Sequence, residues 1–197
     1  MKLIIVRHGQ TPTNASGFMH KSFDKDMLTE EGVNQIAKVA EFLSKYDIEC
    51  VYSSKEKRAI QSAKTITDKL RVDLIEMTGL HERDWGKLAG KPWKDVKKVL
   101  ENKSVQERYE YLPEGGESWK DFESRLISAI EAIVSNSRKD VVIVTHGGAI
   151  RALMPFLLGK SLSESFKHDP DNASITIFEI TQTGFKDIMI NSIEHLE

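Results

Sequence analysis

Two short runs, Leu3-Ile4-Ile5-Val6 and Val141-Val142-Ile143-Val144, are apolar at every position. A strand buried on one face alternates, so an unbroken run predicts a strand covered on both faces, as in a parallel sheet between helices. Elsewhere apolar residues recur at helical spacing. Val33, Ile36, Ala37, Ala40 and Leu43 predict one buried helix face behind an N-cap at Thr29, with Glu30 and Glu31 in the first turn. Ala59, Ile60, Ala63, Ile66 and Leu70 predict a second helix, starting at Ser53, which has capping-box spacing with Glu56. Pro92 opens another, rich in lysine at 94, 97 and 98. Ser118 and Asp121 cap the next, whose stripe is Trp119, Phe122, Leu126, Ala129, Ile130 and Ile133. A last helix follows the 141–144 strand to Leu157 and stops at Gly159. Residues 50–52, 72–75, 172–180 and 187–192 read as strands, the final pair as a hairpin around Thr183-Gly184. The alternation predicts an α/β fold: a three-layer α/β/α sandwich on a mostly parallel six-stranded sheet with one antiparallel strand. The 197 residues suit a single domain, 1–197, with a polar, irregular stretch at 101–116 inside a lid insertion at about 81–117.

Both unbroken strands end in an imidazole before glycine: Arg7-His8-Gly9 and Thr145-His146-Gly147-Gly148. Ligands of open α/β sheets collect at the carboxyl ends of strands. Gly9 lets backbone or substrate approach closely. Arg58 falls in the first turn of its helix, where the dipole disfavours a cation unless an anion shares the site.

Composition narrows the partners. A formal net charge of -2 argues against a general nucleic-acid binder. The one cysteine, Cys50, excludes an intrachain disulfide framework and reads as a small core residue. The first apolar run is too short for a signal peptide, and no run approaches the roughly 18 residues of a membrane span. The expectation is a cytoplasmic protein without nucleic-acid or membrane partners.

Four readings of the paired histidines remain. Each could be a satisfied structural residue. A metal site is disfavoured by the arginine beside His8 and by the lack of H-x-H or H-E-x-x-H spacing. A serine hydrolase lacks its G-x-S-x-G elbow, and a dinucleotide site lacks G-x-G-x-x-G. Phosphoryl transfer through histidine fits both residue types: arginine binds phosphate through a fork of donors, and a neutral imidazole attacks phosphorus.

Arg7-His8-Gly9, Ser54-x-x-x-Arg58-Ala59-x-x-Ser62-Ala63, Leu80-His81-Glu82 and His146-Gly147-Gly148 occur in that order. Together the chain resembles the histidine phosphatase superfamily, in its phosphoglycerate mutase-like branch, from Leu3 to about Ile180. The resemblance implies that branch's fold and catalysis without cofactor or metal. It implies His8 as nucleophile and Glu82 as proton donor, with a lid carrying Trp85 raising the Glu82 pKa. Arg7, Arg58 and His146 would surround the moving phosphoryl group, and Asn14 and the Gly147 N–H would bind phosphate. The other four histidines, His20, His81, His168 and His195, read as incidental.

Within that branch, Glu82-Arg83-Asp84-Trp85-Gly86 resembles the E-R-H-Y-G segment of the mutases but departs at Asp84 and Trp85. Asp84 would put an acid in the path of an anionic substrate. Arg108 stands alone where those enzymes carry paired arginines. A phosphomonoesterase acting on a small phosphorylated metabolite is therefore expected, with a cofactor-dependent phosphoglycerate mutase and a non-catalytic phospholigand-binding module as alternatives. Arg83, Lys87, Lys91 and Arg108 are candidates for a further anionic group. Trp85, Trp93, Tyr109 and Tyr111 would contact a ring or pack. A homodimer is expected by analogy alone.

Overall fold

The computed structural model describes residues 1–197. In chain order its regular elements are β1 (Lys2–Arg7), α1 (Pro12–Ala15), α2 (Glu30–Leu43), β2 (Ile48–Ser53), α3 (Lys57–Leu70), β3 (Asp73–Glu76), α4 (Trp93–Glu101), α5 (Val105–Glu110), α6 (Trp119–Asn136), β4 (Asp140–Thr145), α7 (Gly147–Leu158), β5 (Ile175–Thr181) and β6 (Gly184–Ser192). The six strands form one sheet in the order β3-β2-β4-β1-β5-β6. β1, β2, β3 and β4 pair in parallel, while β5 pairs antiparallel with both β1 and β6, so β5 alone runs against the rest.

Alternation along the central strands divides the core in two. Leu3 and Ile5 of β1 and Val141 and Ile143 of β4 face α6 and α7; Ile4, Val6, Val142 and Val144 face α2 and α3. All eight are fully buried, which is why both runs are apolar throughout. Each such side chain contributes ~1.5–3 kcal/mol through removal from water.

Register places the site. Val6 lies opposite Val144 and Arg7 opposite Thr145, so His8 and His146 leave adjacent strands side by side. The His8 N–H donates to the Thr145 carbonyl at 3.0 Å, and the Ser54 N–H to Val144 at 3.1 Å. Three neighbouring strand ends thus deliver Ser54, His146 and His8 to one edge.

Several boundaries differ from the expected ones. α3 begins at Lys57 with Glu56 as N-cap residue, and Ser53 belongs to β2. The Glu56 carboxylate makes no cap bond, because other donors take it. In α2, Val33 and Ala37 face solvent, and Gly32 and Val39 join Ile36, Ala40 and Leu43 in the buried face. Gly32 is there because the helix start lies against the chain leaving β1: a Cβ on Gly32 would sit 2.1 Å from the Gln10 carbonyl oxygen. Ile60 and Leu70 of α3 are only half-buried. The stretch expected to be irregular contains α5, started by a capping box between Ser104 and Glu107. β5 starts at Ile175, three residues late, since Ala173 has φ 59° and turns the chain.

Candidate active site

A cavity of about 530 Å³ opens at the carboxyl ends of β1 and β4. Arg7, His8, Asn14, Arg58, Glu82 and Gly147 line it. His146 lies just behind, its ring centroid 5.2 Å from that of His8.

His8 is held as one tautomer. Its Nδ1 lies 2.8 Å from the Gly9 carbonyl, which only accepts, so Nδ1 carries the proton. Nε2 is left with its lone pair, accepting at 3.3 Å from Arg58 Nε. Burial pushes the His8 pKa well below the usual histidine value, and Arg58, His146 and Arg7 push it further. A neutral ring with a free Nε2 electron pair is the form a nucleophile requires.

Arg58 and His146 are braced by carboxylates. Arg58 Nη2 donates to Glu56 Oε2 at 2.8 Å and Nη1 to Asp24 Oδ1 at 3.2 Å. His146 Nε2 lies 2.7 Å from the same Glu56 oxygen and 2.9 Å from Ser54 Oγ. The N–H of Phe23 donates to Glu56 Oε1 at 3.2 Å and that of Glu82 to Oε2 at 3.3 Å. Burial pushes the Glu56 carboxyl up, but His146, Arg58 and the Phe23 N–H outweigh it, and it lies far below the ordinary carboxylate range. Burial lowers the His146 pKa against the pull of Glu56.

Two buried nitrogens at this edge have no partner: Arg7 Nε, a donor, and His146 Nδ1, on a ring whose Nε2 faces Glu56. Buried polar groups in native proteins are nearly always paired, so Arg7 Nε calls for an acceptor. The Arg7 Nη1 donates to the Pro170 carbonyl, aligning the guanidinium beside Gly147. Asn14 Oδ1 accepts from Asn172 Nδ2 at 3.1 Å and from Thr11, which leaves the Asn14 amide nitrogen as a donor for the cavity. Gly147 opens α7, where backbone N–H groups favour an anion.

Glu82 reaches the cavity from the loop after Leu80. Its Oε2 accepts from the Gly148 N–H at 2.9 Å and Oε1 from the Arg83 N–H at 2.8 Å. A Cβ on Gly148 would sit 2.3 Å from Glu82 Oε1, so the glycine makes room for the carboxylate. Arg125 of α6 holds the loop: it forks onto Glu117 and donates to the carbonyls of Gly79, His81 and Glu82 at 2.9–3.0 Å.

The model of the histidine phosphatase superfamily (branch 1) matches residues 3–192. The chain belongs to that superfamily. It is 36% identical over 160 residues to the metal-independent phosphoserine phosphatase of Arabidopsis thaliana, covering 77% of this chain and 66% of that one. It is 30% identical over 178 residues to the 2,3-bisphosphoglycerate-dependent phosphoglycerate mutase of Thermoplasma acidophilum, covering 90% and 86%. A crystal structure of a phosphoserine phosphatase from Entamoeba histolytica, a histidine-to-alanine mutant in complex with phosphoserine, superposes with a TM-score of 0.83 at 26% identity, covering 100% of this chain and 99% of that one.

The structure brings together Arg7, His8, Asn14, Arg58, Glu82, His146 and Gly147, the site residues expected from the sequence. It also corrects several expectations. His20 is not incidental: it lines the cavity, its ring edge-on to His8 at 5.9 Å, with Nε2 3.2 Å from Asp26 and 2.9 Å from Thr11 Oγ1. Burial, with Arg58, lowers its pKa to about 4 against the pull of Asp24 and Asp26. Asp84 is not in the substrate's path; its Oδ1 accepts from the Gly86 N–H at 2.8 Å within a turn. Gly9 admits backbone rather than substrate, since its Cβ would strike the Gly32 carbonyl at 2.4 Å. Lys87 pairs with Glu114 in solvent; Arg83, by contrast, lines the cavity, its Nε and Nη2 donating to the Glu117 and Tyr111 carbonyls and its guanidinium 4.2 Å from the Trp85 ring centre. Tyr109 donates to Glu123 at 2.7 Å and packs beside α6. Trp85 and Trp93 do line the cavity. Sequence reasoning missed Glu56, Asn172 and Arg125.

Proposed function

We propose that this chain hydrolyses a small phosphomonoester in two steps, through a phosphohistidine on His8. The observation that carries this reading is the His8 ring itself: buried, neutral, with Nε2 unprotonated and faced by guanidinium groups. The ester phosphoryl enters between Arg7, Arg58, His146 and Asn14, supplying an acceptor to the unpaired Arg7 Nε. Nε2 attacks phosphorus, and the phosphorus–oxygen ester bond breaks. Glu82, in its protonated form, gives its proton to the leaving alkoxide. In the second step Glu82 takes a proton from water, whose oxygen attacks phosphorus; the phosphorus–nitrogen bond breaks and His8 returns as the neutral ring. The guanidinium groups offset charge on the transferring oxygens throughout, so the chemistry requires no metal ion.

The segment 81–117 acts as a lid in this reading. Trp85, Trp93, Lys97, Leu100 and Arg108 from it form one wall of the cavity. The chain functions as one domain. It has no helix long and apolar enough to cross a membrane, and we place it in the cytoplasm.

The test is release of p-nitrophenol from p-nitrophenyl phosphate with excess EDTA. Turnover in EDTA that vanishes in His8→Ala, with an unchanged circular dichroism spectrum, is the expected result. Activity surviving in His8→Ala overturns the reading. The mutase similarity provides a second reading: conversion of 3-phosphoglycerate to 2-phosphoglycerate dependent on 2,3-bisphosphoglycerate would favour it over hydrolysis.

A further inference from the structure

On the Asn14 side of the cavity a row of hydrogen-bonded side chains runs back from the phosphoryl site to Asp26. His20 lies in the loop ahead of α2, its side chain 10% exposed and its ring edge-on to His8. Its Nε2 meets two oxygens, Thr11 Oγ1 at 2.9 Å and Asp26 Oδ2 at 3.2 Å. Burial pushes the Asp26 carboxyl up, but hydrogen bonds from Thr13 and Thr11 outweigh it and hold it below the ordinary range. Asp26 is thus a carboxylate and only accepts. Nε2 therefore carries the ring proton and shares it between Asp26 and Thr11.

Thr11 is fully buried, and its hydroxyl has one proton for two acceptors, Asn14 Oδ1 at 3.1 Å and the Asp26 carboxylate. The hydroxyl oxygen already takes the Asn14 N–H at 3.2 Å. With the His20 N–H as a second donor, both of its lone pairs are filled. Asp26 meanwhile is supplied by His20 and by the Thr13 N–H at 3.2 Å. The Thr11 proton is left to Asn14 Oδ1, which also accepts from the Thr11 N–H at 3.3 Å and from Asn172. An amide whose oxygen is committed to three donors turns its nitrogen the other way, into the cavity. We propose that His20 is a positioning residue: its N–H, held by Asp26, directs the Thr11 hydroxyl to Asn14 Oδ1 and so keeps the Asn14 amide nitrogen aimed at the phosphoryl group. The proposal rests on the phosphomonoesterase reading, which puts that group beside Asn14. Without His20 the hydroxyl turns to Asp26, and the Asn14 amide loses one of the bonds that orient it.

The experiment follows kcat/KM for p-nitrophenyl phosphate in EDTA through a double-mutant cycle. His20→Leu, which deletes the donor, should lose about tenfold, the worth of one hydrogen bond to a charged ligand. His20→Gln, whose amide nitrogen can take the place of Nε2, should recover to within about twofold of the wild type. Asn14→Ala should cost about tenfold or more in the wild-type chain but less than about threefold in the His20→Leu chain, because both changes remove the same bond. Equal losses in His20→Leu and His20→Gln would show a packing role and overturn the proposal. Additive losses at positions 14 and 20, or wild-type activity in His20→Leu, would overturn it too. Should His20→Leu fail to fold by circular dichroism, Thr11→Val deletes the hydroxyl with little change of shape and runs the same cycle with Asn14→Ala: coupling supports the relay, and additivity overturns it. A wild-type chain that leaves the ester intact sinks the phosphomonoesterase reading and the relay with it; one that turns over without the coupling sinks the relay alone.

Discussion

At the scale of single residues, Glu56 is the least expected participant. One buried carboxylate binds Arg58, His146 and two backbone N–H groups, so it aims both side chains at the cavity. Removing one member of a buried ion pair leaves an uncompensated charge and costs about 3–5 kcal/mol. Glu56→Leu should therefore lower the unfolding midpoint sharply. Glu56→Gln, which keeps the shape, should fold and lose kcat/KM by about ten- to a hundredfold, reflecting the weaker hold on Arg58 and His146. Wild-type kcat/KM in Glu56→Gln would remove Glu56 from the account. The sequence hid this role because a glutamate three residues after Ser53 already had a local explanation as a capping partner. Arg7, His8 and His146 were legible because they stand at strand ends that lead into glycine, and Glu82 because it follows Leu80-His81 in a recognisable order. Asn172 and Arg125 carried no such local signal; only the tertiary fold brings them to His8 and to the Glu82 loop.

At the scale of elements, the start of α7 sets the position of Glu82. The Gly148 N–H fastens the carboxylate, and the missing side chain admits it. Gly148→Ala should push Glu82 out of place while the helix remains, and a misplacement of about 1 Å can cost 10²-fold. The expected result is a kcat loss of that order with a near-native unfolding midpoint; unchanged kcat would show that the carboxylate position is immaterial. Arg125 acts on the same loop from α6. Arg125→Ala should lower kcat for p-nitrophenyl phosphate and raise amide exchange across residues 79–83, and unaltered exchange would refute the bracing role. The long amphipathic helices were readable from periodicity, and their faults lie at the ends. α2 turned by one residue because Gly32 must meet Gln10, and α5 is too short for periodicity to reveal, though its Ser104 and Glu107 cap was there to be read.

At the scale of the whole molecule, the sheet order was beyond sequence patterning, but its consequence was not: two fully apolar strands lie side by side and release their histidines together. Burying three rings at one sheet edge couples folding to pH. His8, His20 and His146 all have pKa values lowered by burial in the folded chain. An unfolded histidine titrates near 6.5, so below that pH the unfolded state binds more protons. Stability from these groups is thus complete above about pH 6.5 and is lost as pH falls toward the folded values, about 4 for His20. The unfolding midpoint should drop between pH 6.5 and 4, and less steeply in His20→Gln; identical slopes would contradict the burial of that ring as neutral. Catalysis should persist below pH 6.5, because His8 keeps its lone pair there. The most direct test of the account is rapid alkaline quenching of a turnover reaction, followed by peptide mapping of the bound phosphoryl group. The account predicts one acid-labile phosphoryl group per chain, on His8, absent from His8→Ala and accumulating in Glu82→Gln. Turnover with no phosphoryl-enzyme, or with the group on any other residue, would contradict it.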